Sequence, residues 1–139
     1  MSVSPEVAAI LRDARRIAVV GLSDDPFRPS HSVAGYLQGA GYAIVGVHPG
    51  GGETLGVRRY PDLRTAAEAE GPIDIVDIFR RSDAVPELLP DLLAVRPRLV
   101  WMQLGVDHAA TAAALAAAGI AVVQDRCLAV EHRALTRQP

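Results

Sequence analysis

The sequence contains one cysteine, Cys127, and neither lysine nor asparagine among its 139 residues. A single cysteine excludes an intrachain disulfide and a metal site built from several thiolates. Because every basic side chain is an arginine, an anion site must use guanidinium groups, backbone N–H groups or hydroxyls. No apolar run approaches the ~18 residues that a membrane span needs, and Glu6 and Asp13 make the N-terminus unlike a secretory signal. We therefore expect a cytoplasmic protein without a membrane partner.

Charge of one sign is also scarce, since 14 basic and 16 acidic residues give a formal net charge of -2. Nucleic-acid-binding domains usually carry a basic excess, so no nucleic-acid partner is expected. The composition, 50% hydrophobic and 22% charged, does not fit a disordered chain. A chain of this length buries an ordinary hydrophobic core without disulfides. We expect a single domain over residues 1–139.

Short apolar runs alternate with segments of helical spacing. The runs predict five strands, at 17–20, 42–47, 73–79, 99–102 and 120–123. Helices are predicted at 4–14, 33–40, 62–70, 82–93, 111–118 and 125–135, with Ser4, Ser82 and Asp125 as N-caps of the first, fourth and last. Nearly continuous apolar strands separated by helices indicate a doubly wound α/β domain with a parallel five-stranded sheet and a short N-terminal helix.

In such a domain, ligands bind beyond the carboxyl ends of the strands, and the first turn would hold the glycine-rich fingerprint of a dinucleotide site. Only its first glycine is present, Gly21, because Ser23 and Pro26 stand at the other two positions. The acidic residue that would bond the ribose is absent where the second strand ends, at His48. NAD therefore fits this sequence poorly.

The first loop instead offers Arg28, Ser30 and Ser32 at the start of a helix. Unpaired N–H groups, the positive end of the helix dipole, two hydroxyls and a guanidinium together favour a phosphate site. The alternative is that Ser30 or Ser32 only caps the helix while Arg28 is solvated.

Six segments follow the predicted strands in order: 21–23 with 28–30, 47–49, 77–81, 101–105 and 125–132, reading GLS, RPS, VHP, DIFRR, WMQLG and DRCLAVEH. Together they resemble the small single-domain CoA-binding protein family. The fold of that family is similar to the CoA-binding N-terminal domain of the succinyl-CoA synthetase alpha subunit. The resemblance covers about residues 14–135. His48 departs from it, because the family commonly has asparagine before this proline.

The resemblance implies a Rossmann-like domain that binds coenzyme A or an acyl-CoA across the carboxyl ends of the strands. It also implies the contacts, which are Gly21, Ser23, Arg28, Ser30, Ser32, Val47, His48, Pro49, Phe79, Arg80, Arg81, Gln103 and Gly105. Arginines at two separate strand ends suit the separated phosphates of this ligand. For Arg80 and Arg81 the alternative is a solvated pair at a helix start.

No catalytic residues and no metal site are predicted, because the four histidines lie far apart and no Ser-His-Asp order is present. The leading hypothesis is a carrier, sensor or adaptor module whose protein partner the sequence does not identify. The alternatives are a nucleotide-dependent oxidoreductase and an enzyme that processes thioesters through Cys127. Cys127 is predicted in the first turn of the last helix, near the ligand, as a redox thiol or as a packing residue.

Overall fold

The computed structural model describes residues 3–137, in which helices and strands alternate. The helices are α1 (Pro5–Asp13), α2 (Pro29–Gly39), α3 (Leu63–Glu70), α4 (Leu89–Val95), α5 (Ala109–Ala117) and α6 (Leu128–Thr136). The strands are β1 (Arg16–Val20), β2 (Ala43–Val47), β3 (Glu53–Thr54), β4 (Val57–Tyr60), β5 (Ile75–Ile78), β6 (Leu99–Met102) and β7 (Ala121–Val123). A 3-10 segment, Ser82–Leu88, directly precedes α4.

The strands form one sheet in the order β3-β4-β2-β1-β5-β6-β7, parallel except for the antiparallel pair β3 and β4. The predicted doubly wound α/β class is confirmed, and the strand count is wrong. The two further strands lie in residues 53–60, where no strand is predicted because Arg58 and Arg59 interrupt the apolar pattern. Leu55 and Gly56 join them with φ angles of 55° and 73°, the left-handed pair of a tight hairpin.

Two apolar layers cover the sheet, one on each face. One contains Ile17 and Val19 of β1 with α1, α2 and α6, and the other contains Ala18 and Val20 with α3, α4 and α5. All four side chains are almost completely buried, as expected for a central parallel strand. Burying one Val or Ile side chain stabilises the fold by ~1.5–3 kcal/mol. Because alternate side chains of β1 enter the two layers, this strand stabilises the packing on both faces of the sheet.

Three of the six helices begin at a side-chain cap, and one of these caps is His108, whose Nδ1 accepts the N–H of Thr111 at 3.2 Å at the start of α5. Ser4 Oγ accepts the N–H of Val7 at 3.2 Å, as predicted for α1. Asp62 Oδ1 accepts the N–H of Thr65 at 2.8 Å at the start of α3. That hydrogen bond holds the pKa of Asp62 below its usual value, because it favours the charged carboxylate.

The predicted caps at Ser82 and Asp125 are wrong, because both side chains bond to another loop. Ser82 opens the 3-10 segment, and its Oγ accepts the N–H of Asp107 at 3.0 Å. Asp125 Oδ1 accepts the N–H of Gly105 at 2.7 Å. The last helix therefore begins three residues later than predicted, with Cys127 at its N-cap position and no side-chain cap.

Asp77 is a buried polar residue in the middle of the sheet. It lies on β5 between Val19 of β1 and Trp101 of β6 and is 0% exposed. Neither carboxyl oxygen has a hydrogen-bond partner within residues 3–137. Burial raises the pKa of Asp77 well above its usual value, because the charged form cannot be solvated there.

The strand order reverses between β1 and β5, so a crevice opens where these two neighbours end. Gly21 follows β1 with a φ of +88°, and Phe79 follows β5. A Cβ at Gly21 would lie 2.3 Å from the carbonyl oxygen of Phe79, so the close approach of the two strand ends requires glycine. Within the described part of the chain, no helix has the length and apolarity to cross a membrane.

Candidate ligand site at the carboxyl ends of the strands

A cavity of about 530 Å³ occupies the crevice beyond β1 and β5. Its wall consists of Gly21, Ser23, Arg28, Pro29, Ser30, Val33, His48, Phe79, Gln103, Leu104, Val106 and Cys127. The volume lies within the range of small-molecule sites, and the wall combines apolar surface with a few polar groups.

The structure brings most of the predicted site residues together in this wall. They are Gly21, Ser23, Arg28, Ser30, His48, Phe79, Gln103 and Cys127. The predicted residues outside the wall are Ser32, Val47, Pro49, Arg80, Arg81 and Gly105. Val47 lies outside because its side chain packs with Val45 and Tyr60 in the layer on the opposite face of the sheet.

The sequence analysis did not identify Pro29, Val33, Leu104 and Val106, which supply much of the apolar wall. Val33 lies one helical turn after Ser30, so the helical period could have placed it beside the cavity. Leu104 is 71% exposed, and a large apolar side chain exposed at the mouth of a cavity favours ligand contact.

The loop between β1 and α2 is fixed by successive hydrogen bonds. Ser30 Oγ accepts the N–H of Ser23 at 2.9 Å, Ser23 Oγ accepts the N–H of Asp25 at 3.0 Å, and Asp25 Oδ1 accepts the N–H of Phe27 at 2.9 Å. The alternative, in which Ser30 or Ser32 caps the helix, is therefore wrong. Arg28 occupies the N-cap position without a side-chain hydrogen bond, which leaves the start of α2 available to an anion.

The three arginines predicted at the site differ in their partners. Arg81 pairs with Asp83 at 3.3 Å, and both side chains are more than three-quarters exposed. No ion pair or side-chain hydrogen bond joins Arg28 or Arg80 to any residue between 3 and 137. Arg28 lies in the wall of the cavity, and the charge of Arg80 acts on His48. Two guanidinium groups around the cavity are thus without an acidic partner.

His48 presents a hydrogen-bond donor to the cavity. Its Nδ1 accepts the N–H of Gly50 at 2.9 Å, which leaves the proton of the neutral ring on Nε2. Burial lowers the pKa of His48, the charges of Arg59 and Arg80 lower it further, and Asp24 opposes them. We therefore expect a neutral His48 at pH 7, acting as an Nε2–H donor.

Gln103 joins the cavity to the start of α6. It is 4% exposed, and its Oε1 accepts the N–H of Leu128 at 2.9 Å. Trp101 supports the same region, because its Nε1–H donates to the carbonyl of Arg126 at 2.7 Å. The Gln103 amide nitrogen makes no hydrogen bond within the described chain, and Cys127 stands beside it in the wall, half-buried. A ligand carbonyl at this point would meet an available donor.

A second cavity, of about 670 Å³, lies at the opposite edge of the sheet and includes Arg12, Arg15, Tyr42 and His132. The carboxyl-terminal ends of α1, α2 and α6 surround it, so carbonyl groups point towards it. Those carbonyls offset the charge of the two arginines. Among residues 3–137, no group of three or more His, Cys, Asp or Glu side chains could hold a metal ion.

A doubly wound sheet with a cavity of apolar surface and a few polar groups at its switch point defines a class of ligand-binding α/β domain. The CoA binding domain family matches residues 15–133, and the chain belongs to this family.

Similar proteins span nearly the same length. An uncharacterized protein of Bacillus subtilis (strain 168), YneT, is 41% identical over 127 residues, 91% of this chain and 92% of that protein. The structure of cell-free ID.343 from Thermus thermophilus is 44% identical with a TM-score of 0.88, over 94% of this chain and 96% of the other. An acetyl-coenzyme A synthetase of Candidatus Korarchaeum cryptofilum, in complex with phosphate and ADP, shares the fold with a TM-score of 0.67. It is 19% identical, and the match covers 78% of this chain and 25% of the synthetase chain.

Proposed function

We propose that the chain binds coenzyme A or an acyl-CoA in the cavity at the carboxyl ends of the strands, as a carrier, sensor or adaptor without catalysis. The observation that carries this proposal is the start of α2, which has no side-chain cap and faces a cavity beside an unpaired guanidinium. Such a start attracts phosphate through its dipole and the N–H of Ser30, because Pro29 has no N–H and the N–H groups of His31 and Ser32 bond to the carbonyl of Arg28. Membership of the CoA binding domain family supports coenzyme A as the phosphate-bearing ligand.

The proposed contacts divide by chemistry. The diphosphate meets Ser23, Arg28 and the first turn of α2, and the further phosphate of coenzyme A meets Arg80 at the rim. His48 donates from Nε2, while Gln103 donates its free amide N–H to a carbonyl of the pantetheine arm. Val33, Phe79, Leu104 and Val106 offer the apolar surface along which that arm would lie.

Thermal unfolding with coenzyme A, NAD or NADP tests this assignment. A ligand at ~100 times its Kd stabilises the folded state by ~2.7 kcal/mol, which is measurable as a rise in Tm. We expect the rise with coenzyme A and none with either dinucleotide. An equal rise with NAD would favour the nucleotide-dependent oxidoreductase and overturn the proposal.

Native mass spectrometry of freshly purified protein tests the ligand directly. A ligand that remains bound through purification would add the mass of coenzyme A or of one acyl-CoA, and that mass would also identify the acyl group. Co-purification of a nucleotide other than coenzyme A or an acyl-CoA would contradict the proposal.

The position of Cys127 in the wall of the cavity favours a second candidate function, in which this thiol reacts with the bound ligand. With an acyl-CoA, Cys127 Sγ would take the acyl group and the CoA thiol would leave. With CoA disulfide, Cys127 Sγ would form a mixed disulfide and release one CoA thiol. Both reactions balance without another reagent.

Mass spectrometry after incubation with acetyl-CoA and with CoA disulfide separates these reactions from simple binding. A reactive thiol gains one acetyl group or one CoA, a reductant removes only the CoA, and Cys127→Ser gains neither while still binding coenzyme A reversibly. If no adduct forms and Cys127 resists alkylation until the protein unfolds, the thiol is a packing residue.

A further inference from the structure

Arg59 of β4 is a buried arginine that touches two of the loops around the cavity. It is 8% exposed, although it lies near an edge of the sheet. Its Nε donates to the carbonyl of Gly51 at 2.7 Å, in the loop after β2. Its Nη1 donates to the carbonyl of Leu22 at 2.9 Å, in the loop after β1. One rigid guanidinium therefore joins the two loops that carry Ser23 and His48.

The side chain of Arg59 crosses strand β2 to make these contacts, and Gly46 provides the space. A Cβ at Gly46 would lie 2.8 Å from Arg59 Cγ and 3.1 Å from Leu22 Cδ2. Glycine within a strand normally weakens it, so its presence here indicates a close approach that the chain accommodates. The arginine and the glycine therefore form one structural unit.

The positive charge of Arg59 is only partly neutralised by a neighbouring acidic group. Its one acidic partner in the described chain is Asp24, whose Oδ2 lies 3.7 Å from Nη2 and whose side chain is 69% exposed. A solvated carboxylate at that distance neutralises a buried guanidinium only in part. The remaining positive field reaches His48, which also experiences Asp24 and Arg80.

We propose that Arg59 is a positioning residue for the ligand, because its two carbonyl contacts set the separation between the loop after β1 and the loop after β2. A ligand that spans Ser23 and His48 needs this separation fixed before it binds. The inference rests on the proposed binding of coenzyme A, which is long enough to contact both loops. Arg59 itself lies behind the wall of the cavity and need not touch the ligand.

The neighbouring Arg58 provides a matched control. It is exposed, and its guanidinium lies 5.1 Å from the ring centroid of Tyr60. Arg58→Gln removes one positive charge from the same strand without breaking the bridge between the loops. Arg59→Lys keeps the charge but loses the fork that reaches both carbonyls, and Arg59→Gln removes the charge as well.

The first experiment needs no ligand and follows the titration of His48 by NMR in the wild type and the three variants. We expect Arg59→Gln to raise the pKa of His48, because it removes a nearby positive charge, while Arg58→Gln leaves it within a few tenths of the wild-type value. An unchanged pKa in Arg59→Gln would show that the guanidinium does not act on this loop and would overturn the inference.

The second experiment compares the Kd of coenzyme A with that of 4′-phosphopantetheine, which lacks the adenosine part and spans less of the site. Both Arg59 variants should bind coenzyme A about tenfold more weakly, because the ligand must then order the two loops that Arg59 holds together in the wild type. They should bind the shorter ligand almost as the wild type does, and Arg58→Gln should match the wild type for both. An equal loss for both ligands in Arg59→Lys would indicate general destabilisation and overturn the inference. Wild-type protein that binds neither ligand would defeat the proposed function, whatever the titration of His48 shows.

Discussion

The two edges of the sheet use their polar side chains differently. At the edge where the strands begin, polar groups bond to one another: Asp74 Oδ2 accepts the N–H groups of Arg15 and Arg16, and Arg98 pairs with Asp13 at 2.7 Å. At the edge where they end, Arg28 and Arg80 have no acidic partner within the described range, and α2 begins without a cap. At the first edge these bonds close the fold, and Arg12 and Arg15, which form no ion pair in the described chain, face helix carbonyls. The second edge leaves charge and hydrogen-bond donors beside helix N-termini for a ligand.

This difference follows from the parallel arrangement of the strands. In a doubly wound domain each crossover helix starts near the carboxyl ends of the strands, so positive helix termini collect at that edge. Unpaired arginines there add to a field that already attracts anions. The comparison predicts that substitutions at the first edge change stability and that substitutions at the second change binding.

The largest expected effect tests the first edge. Asp74→Ala removes the acceptor of two backbone N–H groups, at 2.9 Å and 3.0 Å, and should lower the free energy of unfolding by about 3 kcal/mol. The folded fraction should bind coenzyme A normally. Urea denaturation and calorimetry measure the two quantities, with Asp74→Asn, which keeps an acceptor, as the milder control. If Asp74→Ala lost coenzyme A binding but not stability, the comparison of the two edges would be wrong.

The next effect tests the second edge. Arg28→Ala removes an unpaired guanidinium from the cavity wall and should weaken coenzyme A binding by ~2 kcal/mol, more than tenfold, at an unchanged Tm. Arg98→Ala, at the other edge, serves as the control and should bind normally. Normal affinity in Arg28→Ala would remove this residue from the proposed phosphate site.

A smaller effect is expected at Asp77, midway between the edges. Its folded pKa is raised, so the folded state holds a proton that the unfolded chain releases above pH ~4, and stability falls as the pH rises towards the folded value. Asp77→Asn stays neutral, so its free energy of unfolding should exceed that of the wild type at pH 8 and lose this advantage near pH 4. Chemical denaturation at the two pH values gives the difference. A pH-independent gap would contradict the raised pKa.

The smallest effect is expected at Arg81, and this small effect should distinguish Arg81 from its neighbour Arg80. Arg81 pairs with Asp83 on the surface, and exposed pairs contribute less than ~1 kcal/mol. Arg81→Ala should therefore change stability and coenzyme A affinity by less than about 0.5 kcal/mol, whereas Arg80→Ala should weaken binding. Titration calorimetry of the two single variants distinguishes them. Equal losses of coenzyme A affinity in the two variants would mean that Arg81 also contributes to the ligand site.

The sequence was sufficient for β1, β2, β5, β6 and β7, because each forms an apolar run, although β7 lies at an edge of the sheet and is only half-buried. The sequence did not predict β3 and β4, because Arg58 and Arg59 interrupt the apolar pattern of β4. That strand forms by pairing with β2, which the local sequence does not indicate. The site residues predicted from one loop, Ser23, Arg28 and Ser30, lie together in the wall of the cavity, and their contact with a ligand stays a prediction. The site was predicted poorly where a side chain has a distant partner, as for Arg59, because hydrogen bonds between loops leave no local pattern.

The contact between Gly46 and Arg59 restricts the order in which these two positions can change during evolution. Shortening residue 59 removes the closest obstacle to a side chain at position 46, whereas adding a methyl group at position 46 first would place it 2.8 Å from the Arg59 stem. The path that loses the arginine first leaves only the 3.1 Å contacts with the Arg58 carbonyl oxygen and Leu22 Cδ2, whereas the reverse path passes through a more strained intermediate. Among related sequences, we expect glycine at 46 without arginine at 59 but not arginine at 59 with a larger residue at 46.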